Sequence, residues 1–258
     1  MSLGAPNREA VQIIGKLCGY GHQASAASDF QARMRRNVRG TGRRSTKAHA
    51  WNATLIAILT TQQPSGPGSK PAQALQSGTL TWGKVKRDPL IINREIRGFR
   101  FNDRKRQQLR LALTWLDQNW PEVKSFQAEL NALGPDDESR YEAELEAADF
   151  LANRNDGIFG VGPKQARNFW QYLGYSVWTI PLDSRVQKVL QAPPFSMSWG
   201  SKGITKAAYL EIEQQVAILC RAVKTSKVYP VLLDSVLFNM QGLMRDLAGF
   251  PNRDRHGF

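Results

Sequence analysis

The chain has 258 residues, of which 41% are hydrophobic and 22% are charged, a balance that is typical of globular proteins and argues against a disordered chain. Lysine and arginine outnumber aspartate and glutamate by 35 to 22, which gives a net charge of +13 and a pI near 10.0. An excess of this size favours a polyanionic partner, and nucleic acid is the usual one.

The two cysteines, Cys18 and Cys220, are far apart in the sequence and have no metal-binding spacing. They argue against a disulfide framework and against a four-cysteine cluster, and they indicate a reducing compartment. The sequence has neither an apolar run that could cross a bilayer nor the start of a signal peptide. We therefore expect a cytoplasmic, nucleoid-associated protein, or a nuclear one if the source has a nucleus, with no membrane partner.

Most of the chain shows apolar residues at the helical period. The first helical stripes lie at residues 10–17, 51–59 and 109–116, and further helices are predicted at about 141–153, 163–173, 184–191, 206–222 and 229–247. Turn-forming residues predict loops at 63–70 and 191–203. No pair of alternating segments flanks an Asn-Gly or Asp-Gly turn, so no sheet is required. The pattern predicts an all-α fold.

Basic residues are crowded in two stretches, 33–47 and 94–110, whereas acidic residues are concentrated at 136–146. One basic face on a bipolar molecule fits DNA binding better than a uniformly basic surface does. For either basic stretch taken alone, a solvated helix face is the alternative interpretation.

The residues most informative about chemistry begin with a turn that contains Gly160, Val161 and Gly162, followed by Pro163 at a plausible first helical position. Glycine permits a tight turn whose backbone N–H groups stay bare. Such donors at a helix N-terminus form an anion site that suits a DNA phosphate. A plain turn between two helices is the alternative.

Lys164 falls in the first turn of the next helix, where the helix macrodipole disfavours a positive charge. Together with partial burial, this position favours the neutral amine that a nucleophile needs, and a surface lysine is the alternative. Asp183 directly precedes the helix predicted from Ser184, where it can act as a rigidly held N-cap. The helix after Lys164 is about 16 Å long, and the segment that follows can span about 30 Å. The connection is therefore long enough for Asp183 to lie close to Lys164 in space.

A lysine beside a fixed carboxylate, behind a phosphate-binding turn, suits the cleavage of an N-glycosidic bond. The carboxylate stabilises the positive charge that develops on the deoxyribose ring, and it can also relay protons. The amine attacks C1′, displaces the base and leaves a Schiff base, from which β-elimination can nick the strand. This mechanism requires no metal and no organic cofactor.

The same residues resemble the helix-hairpin-helix superfamily of DNA glycosylases. The hairpin of that family reads L-x-G-V-G-x-K-x-A, and the chain reads IFGVGPKQA from Ile158 to Ala166; the family's aspartate opens a helix after an apolar stretch, as Asp183 does here. Lysine in the hairpin implies the bifunctional branch, a glycosylase that is also an AP lyase, and the 8-oxoguanine enzymes match best. The resemblance implies an all-α fold of two lobes with the active cleft between them.

Weaker matches extend the resemblance over about residues 48–245. The segment that ends in Gln62 and Gln63 resembles the loop that fills the gap left by a flipped base, which implies Gln62 as the plug and Gln63 as its alternate. The segment Gly98–Lys105 resembles the element that opens a helix near the DNA backbone.

Asp234 and Phe238 resemble residues of the helix that lines the base pocket of the 8-oxoguanine enzymes. They stand four positions apart and share a helix face, so Phe238 would stack on the extruded base while Asp234 accepts from its Watson–Crick edge. A packed phenylalanine beside a solvated aspartate is the alternative. Those enzymes favour glutamine where this chain has Asp234, and Gln62 is more like endonuclease III, so the lesion is left open.

The expected lobes are residues 1–47 with 175–258, and residues 48–174, which carry the hairpin. Contacts with DNA phosphates are expected from the hairpin N–H groups, Arg185 and the basic stretches, with the damaged nucleotide flipped into the cleft.

The sequence thus predicts a monomeric base-excision repair glycosylase/AP lyase that acts on damaged double-stranded DNA and removes an oxidised purine of the 8-oxoguanine type. The alternatives are an oxidised pyrimidine as substrate, a monofunctional glycosylase in which Asp183 activates water, and a non-catalytic helix-hairpin-helix module that binds DNA.

Overall fold

A computed structural model describes residues 6–23, 27–61, 68–153, 155–197, 204–224 and 227–239. All regular structure in these ranges is helical, so the predicted all-α fold is confirmed. Besides a π-helical turn at Met34–Val38, the ranges contain α1 (Arg8–Gln23), α2 (Ala27–Arg33), α3 (Lys47–Leu59), α4 (Lys70–Gln76), α5 (Trp82–Arg87), α6 (Ile91–Glu95), α7 (Asn102–Gln118), α8 (Trp120–Ala132), α9 (Arg140–Ala152), α10 (Pro163–Leu173), α11 (Ser184–Gln191), α12 (Lys206–Ala222) and α13 (Pro230–Asn239). None of the helices in the described ranges is both long and apolar enough to span a bilayer.

The chain divides into two compact units, which we call the terminal unit (residues 1–35 and 178–258) and the central unit (residues 36–177). The segment 36–47, expected in the terminal lobe, belongs to the central unit. The reason is a set of bonds to the C-terminal end of α10: the Arg44 N–H donates to the Leu173 carbonyl at 2.8 Å, and the Arg43 Nε donates to the Gly174 carbonyl at 3.0 Å.

The central unit is built around α3, which is buried on most of its faces and packs against α7 and α10. The apolar stripe of α10 has the spacing of a helix that faces a core, and its buried members include Ala166, Phe169, Trp170 and Leu173. The indole N–H of Trp170 donates to the Ala147 carbonyl of α9 at 2.8 Å. Because α10 contacts both α3 and α9, the helix that carries Lys164 is held from two sides.

A buried ion pair joins α8, α9 and the chain that leaves α10. The Nε of Arg140 donates to Glu144 at 2.7 Å, and both side chains are almost wholly removed from solvent. The Arg140 guanidinium also donates to the carbonyls of Leu133, at 3.0 Å, and Tyr175, while Glu144 accepts from the Val177 N–H at 2.8 Å. The guanidinium therefore satisfies backbone carbonyls that would otherwise be buried without donors.

In the terminal unit, α1 packs against α2, α12 and α13. Its buried residues include Ala10, Ile14 and Leu17, and those of α12 include Ile212 and Val216. The first helix and α13, the last helix of the described ranges, thus lie in the same unit.

Substitution of Arg140 tests the buried ion pair. Arg140→Met leaves Glu144 charged and buried without its partner, so we expect the free energy of unfolding to fall by about 3–5 kcal/mol. Arg94→Ala is the matched control, because Arg94 pairs with Asp88 at 3.0 Å while its side chain is 63% exposed, and such a pair contributes less than about 1 kcal/mol. Urea denaturation measures both changes, and equal changes in the two variants would contradict this account.

Candidate active site

The predicted hairpin lies between α9 and α10 and packs on α7. Its Val161 N–H donates to the Ile158 carbonyl at 2.9 Å. Gly160 has a φ of +80°, and a Cβ added there would lie 1.9 Å from the Nε2 of Gln108. The positive φ therefore favours glycine at this position, and any larger residue would also have to displace the side chain of Gln108.

The expectation that the hairpin N–H groups stay bare is wrong for two of them. The Val161 N–H is used within the turn, and the Gly162 N–H donates to the Oε1 of Gln165 at 3.3 Å. Gly162 has ordinary extended backbone angles, φ −100° and ψ −177°. The backbone N–H groups of Gly160, Lys164 and Gln165 make no hydrogen bond with the described part of the chain, so all three can donate to an anion.

Lys164 occupies the second position of α10 and is half-buried. Of the other lysines in the described ranges, Lys47 is half-buried and Lys105 is buried, and the rest are exposed. Lys47 pairs with Asp117 at 3.1 Å, and Lys105 donates to backbone carbonyls. Lys164 makes neither a hydrogen bond nor an ion pair with any described residue. Within the described ranges its amine therefore has no bonding partner, as a nucleophile requires.

Two side chains fix the end of α3, next to the segment predicted to plug the DNA. The Nζ of Lys105 donates to the carbonyls of Leu59 at 3.0 Å and Thr61 at 3.1 Å. The Nε2 of Gln165 donates to the Oγ1 of Thr61 at 3.4 Å. The predicted plug residues Gln62 and Gln63 themselves lie outside the described residues. The structure therefore brings together the end of α3, the first turn of α7 and the first turn of α10.

Sequence reasoning missed the roles of Lys105 and Gln165. Lys105 lies on the apolar stripe of α7, with Leu109, Ala112 and Leu116, all buried. A lysine at a core position of a helical stripe is a signal of a bonded, buried amine. Gln165 gave a weaker signal, a glutamine three residues after the cap position Gly162, where a side chain can reach back to the backbone.

Asp183 is the N-cap of α11, which confirms its predicted structural role. Its Oδ1 accepts from the Arg185 N–H at 2.9 Å and from the Val186 N–H at 3.0 Å. Its Oδ2 accepts from the Nε of Arg185 at 3.1 Å and from its Nη2 at 2.7 Å. The side chain of Asp183 is 15% exposed and that of Arg185 is 39% exposed. Arg185, expected to contact DNA, therefore contacts the carboxylate in this structure.

The buried segment that leads to Asp183 is held by α12. The Tyr209 hydroxyl donates to the Ile180 carbonyl at 2.8 Å and accepts from the Leu182 N–H at 2.9 Å. The carboxylate of Glu213 accepts from the Ile180 N–H at 2.9 Å. Asp183 is thus fixed from both directions along the chain, by α12 before it and by its own cap after it.

Asp234, predicted to contact the base, is buried in the terminal unit. Its carboxylate accepts from the guanidinium of Arg33, which also pairs with Asp29 at 3.0 Å. The alternative of a solvated aspartate is therefore wrong, because the side chain of Asp234 is only 10% exposed. The side chain of Phe238 lies outside the described part, and a contact of either residue with a base stays a prediction.

Each of the two basic stretches contains cations that are bonded within the protein. In the first, Arg43 and Arg44 bind the C-terminal end of α10, where the Arg44 guanidinium lies 4.1 Å from the centroid of the Tyr172 ring. In the second, Arg104 is exposed and lies one helical turn before Gln108, the residue against which the Gly160 turn packs. The second stretch therefore has an exposed cation on the same face of α7 as Gln108.

Burial lowers the pKa of Lys105 from 10.5 to about 8, and repulsion by Arg100 adds to the effect. Because the folded protein then binds fewer protons than the unfolded chain between about pH 8 and pH 10.5, this residue makes the free energy of unfolding rise with pH in that window. We expect the rise to be smaller in Lys105→Met. Denaturant titrations at pH 7.5 and pH 9.5 measure it.

Lys124→Met is the control for Lys105→Met. Lys124 is exposed on α8, so water surrounds its amine in both the folded and the unfolded state, and the wild-type pH dependence should persist. A Lys105→Met variant whose stability follows that of the wild type at both pH values would contradict the assignment.

Comparison with known proteins supports the fold. No protein-family model matches the sequence, and no curated protein matches it. The 8-oxoguanine DNA glycosylase of Methanocaldococcus jannaschii has a TM-score of 0.62 and 16% identity, over 92% of this chain and 97% of that one. A second structure, the 8-oxoguanine glycosylase/lyase of the same organism with a 15mer DNA that contains 8-oxoguanine, has a TM-score of 0.59 and 16% identity, over 89% and 98%. The chain therefore has the fold of these archaeal proteins.

Proposed function

We propose that this protein is a DNA glycosylase and AP lyase that excises an oxidised base, with 8-oxoguanine as the first candidate, through a Schiff base on Lys164. The observation that carries the proposal is the state of Lys164: half-buried, in the first turn of α10, and unbonded within the described ranges. The similar archaeal structures support the substrate class, since one is described as a glycosylase/lyase in complex with DNA containing 8-oxoguanine.

In this proposal the hairpin binds a phosphate of duplex DNA. The N–H groups of Gly160, Lys164 and Gln165 are the donors, and the dipole of α10 favours an anion at this end of the helix. Arg104 adds a positive charge near the same turn. These contacts fix the position of the strand without reading its sequence, and the damaged base is recognised after it is flipped out of the stack.

The chemistry follows from an amine and a fixed carboxylate. The neutral Nζ of Lys164 attacks C1′ of the damaged nucleotide, the glycosidic bond breaks, and its electron pair leaves with the base, which takes up a proton. The new ammonium loses a proton and the sugar ring opens, which gives the Schiff base between Nζ and C1′. Loss of a proton from C2′ then expels the 3′ phosphate by β-elimination, and water hydrolyses the Schiff base to restore the lysine.

Asp183 has two roles in this scheme. Its carboxylate stabilises the positive charge that develops on the sugar, and it accepts a proton from the attacking amine. A carboxylate held by two backbone N–H groups, at 2.9 and 3.0 Å, does not need to reorganise during the reaction. Fixed dipoles and charges of this kind are the most effective electrostatic catalysts.

The test is a panel of duplexes that each carry one defined lesion, incubated with the protein in the presence of borohydride. We expect release of 8-oxoguanine and a trapped covalent complex with the wild type, and no trapped complex with Lys164→Gln. Asp183→Asn keeps the helix cap but removes the charge, so its rate of base release should fall by about a hundredfold or more. Lys124→Gln, at an exposed position, is the matched control and should trap like the wild type.

Each alternative gives a different result in the same assay. Base release by Lys164→Gln at the wild-type rate, without trapping in any variant, would show a monofunctional enzyme that uses water. Release of oxidised pyrimidines alone would change the substrate. DNA binding without base release from any duplex would show a non-catalytic binding module and overturn the proposal.

A further inference from the structure

The carboxylate of Asp183 forms an ion pair with Arg185, two residues after it. Both Arg185 donors, Nε at 3.1 Å and Nη2 at 2.7 Å, reach the same oxygen, Oδ2. The other oxygen, Oδ1, caps α11. The group assigned to stabilise a cationic sugar therefore has a cation bound to it.

This contact is not needed to orient Asp183. The two cap bonds to Oδ1 fix the carboxylate, and Tyr209 and Glu213 fix the segment before it. A positive charge within hydrogen-bond distance, however, weakens the field that the carboxylate exerts on a developing cation. While Arg185 stays on Oδ2, it opposes the proposed chemistry.

Arg185 is the accessible member of the pair. Its side chain is 39% exposed, against 15% for Asp183, and an ion pair with an exposed partner is weak enough to be exchanged. A phosphate offers the planar guanidinium the same paired oxygens as a carboxylate. Duplex DNA therefore supplies a competitor of the right charge and geometry.

We propose that Arg185 shields Asp183 until DNA binds, and that a DNA phosphate then takes over the guanidinium and exposes Oδ2 to the sugar. Arg185 is in this sense a positioning residue that links occupation by DNA to the availability of the carboxylate. The inference rests on the proposed function for the role of Asp183, but the competition between carboxylate and phosphate for Arg185 is measurable without catalysis.

The test is a double-mutant cycle on affinity for an undamaged duplex. Asp183→Asn keeps the cap but frees the guanidinium, so we expect it to bind the duplex about threefold or more tightly than the wild type. In an Arg185→Gln background the same substitution should bring no gain. In a Lys188→Gln background, which removes a charge from the exposed face of the same helix, the gain should persist.

Salt dependence gives a further readout. Arg185→Gln should reduce the slope of log K against log salt concentration by about one, the value for one lost phosphate contact.

An equal increase in DNA affinity from Asp183→Asn in the wild-type and Arg185→Gln backgrounds would show that the effect comes only from the loss of a negative charge. That result would overturn the inference. No gain in the wild type would also overturn it. The affinity measurements use undamaged DNA and do not depend on base excision. They therefore test the competition for Arg185 separately from the proposed glycosylase activity.

Discussion

The packing of α10 against α3 is the interaction on which the candidate site depends. The apolar stripe of α10 fixes the helix laterally, and Arg43 and Arg44 bind the backbone at its C-terminal end. At the other end, Gln165 joins the hairpin to Thr61 at the end of α3. Because the helix is held along its length and at both termini, the turn that carries Lys164 has a defined place relative to Thr61 at the end of α3.

The positive charges of the protein divide by what they are bonded to. Arg140 and Lys105 are buried and donate to carbonyls near helix ends, where unsatisfied acceptors collect. Arg33 and Arg185 are bound to carboxylates. Lys164 alone combines partial burial with the absence of a bond among the described lysines. A high net charge by itself indicates a polyanionic partner. The bonding partners go further, because they distinguish the cations that stabilise the fold from Lys164, whose amine is available for chemistry.

Local signals in the sequence were sufficient for the helices around the site. Pro163 and Asp183 mark the starts of α10 and α11, and the predicted ranges 163–173 and 184–191 coincide with the observed ones. The sequence did not predict the partner of Arg33, because Asp234 is 201 positions away and one sequence carries no signal for such a pair. For the same reason the bonds of 36–47 to α10 were missed. The bare N–H groups were misjudged at Gly162 because its donor is satisfied by a side chain rather than by the turn itself.

The central claim, that the amine of Lys164 attacks the sugar, is tested most directly by locating the reduced adduct. The wild-type protein is incubated with a duplex containing 8-oxoguanine and borohydride, digested, and analysed by tandem mass spectrometry. The account predicts the sugar remnant on the Nζ of Lys164, in the peptide that contains the hairpin. An adduct on another amine, such as that of Lys105, or base release without any adduct, would contradict it.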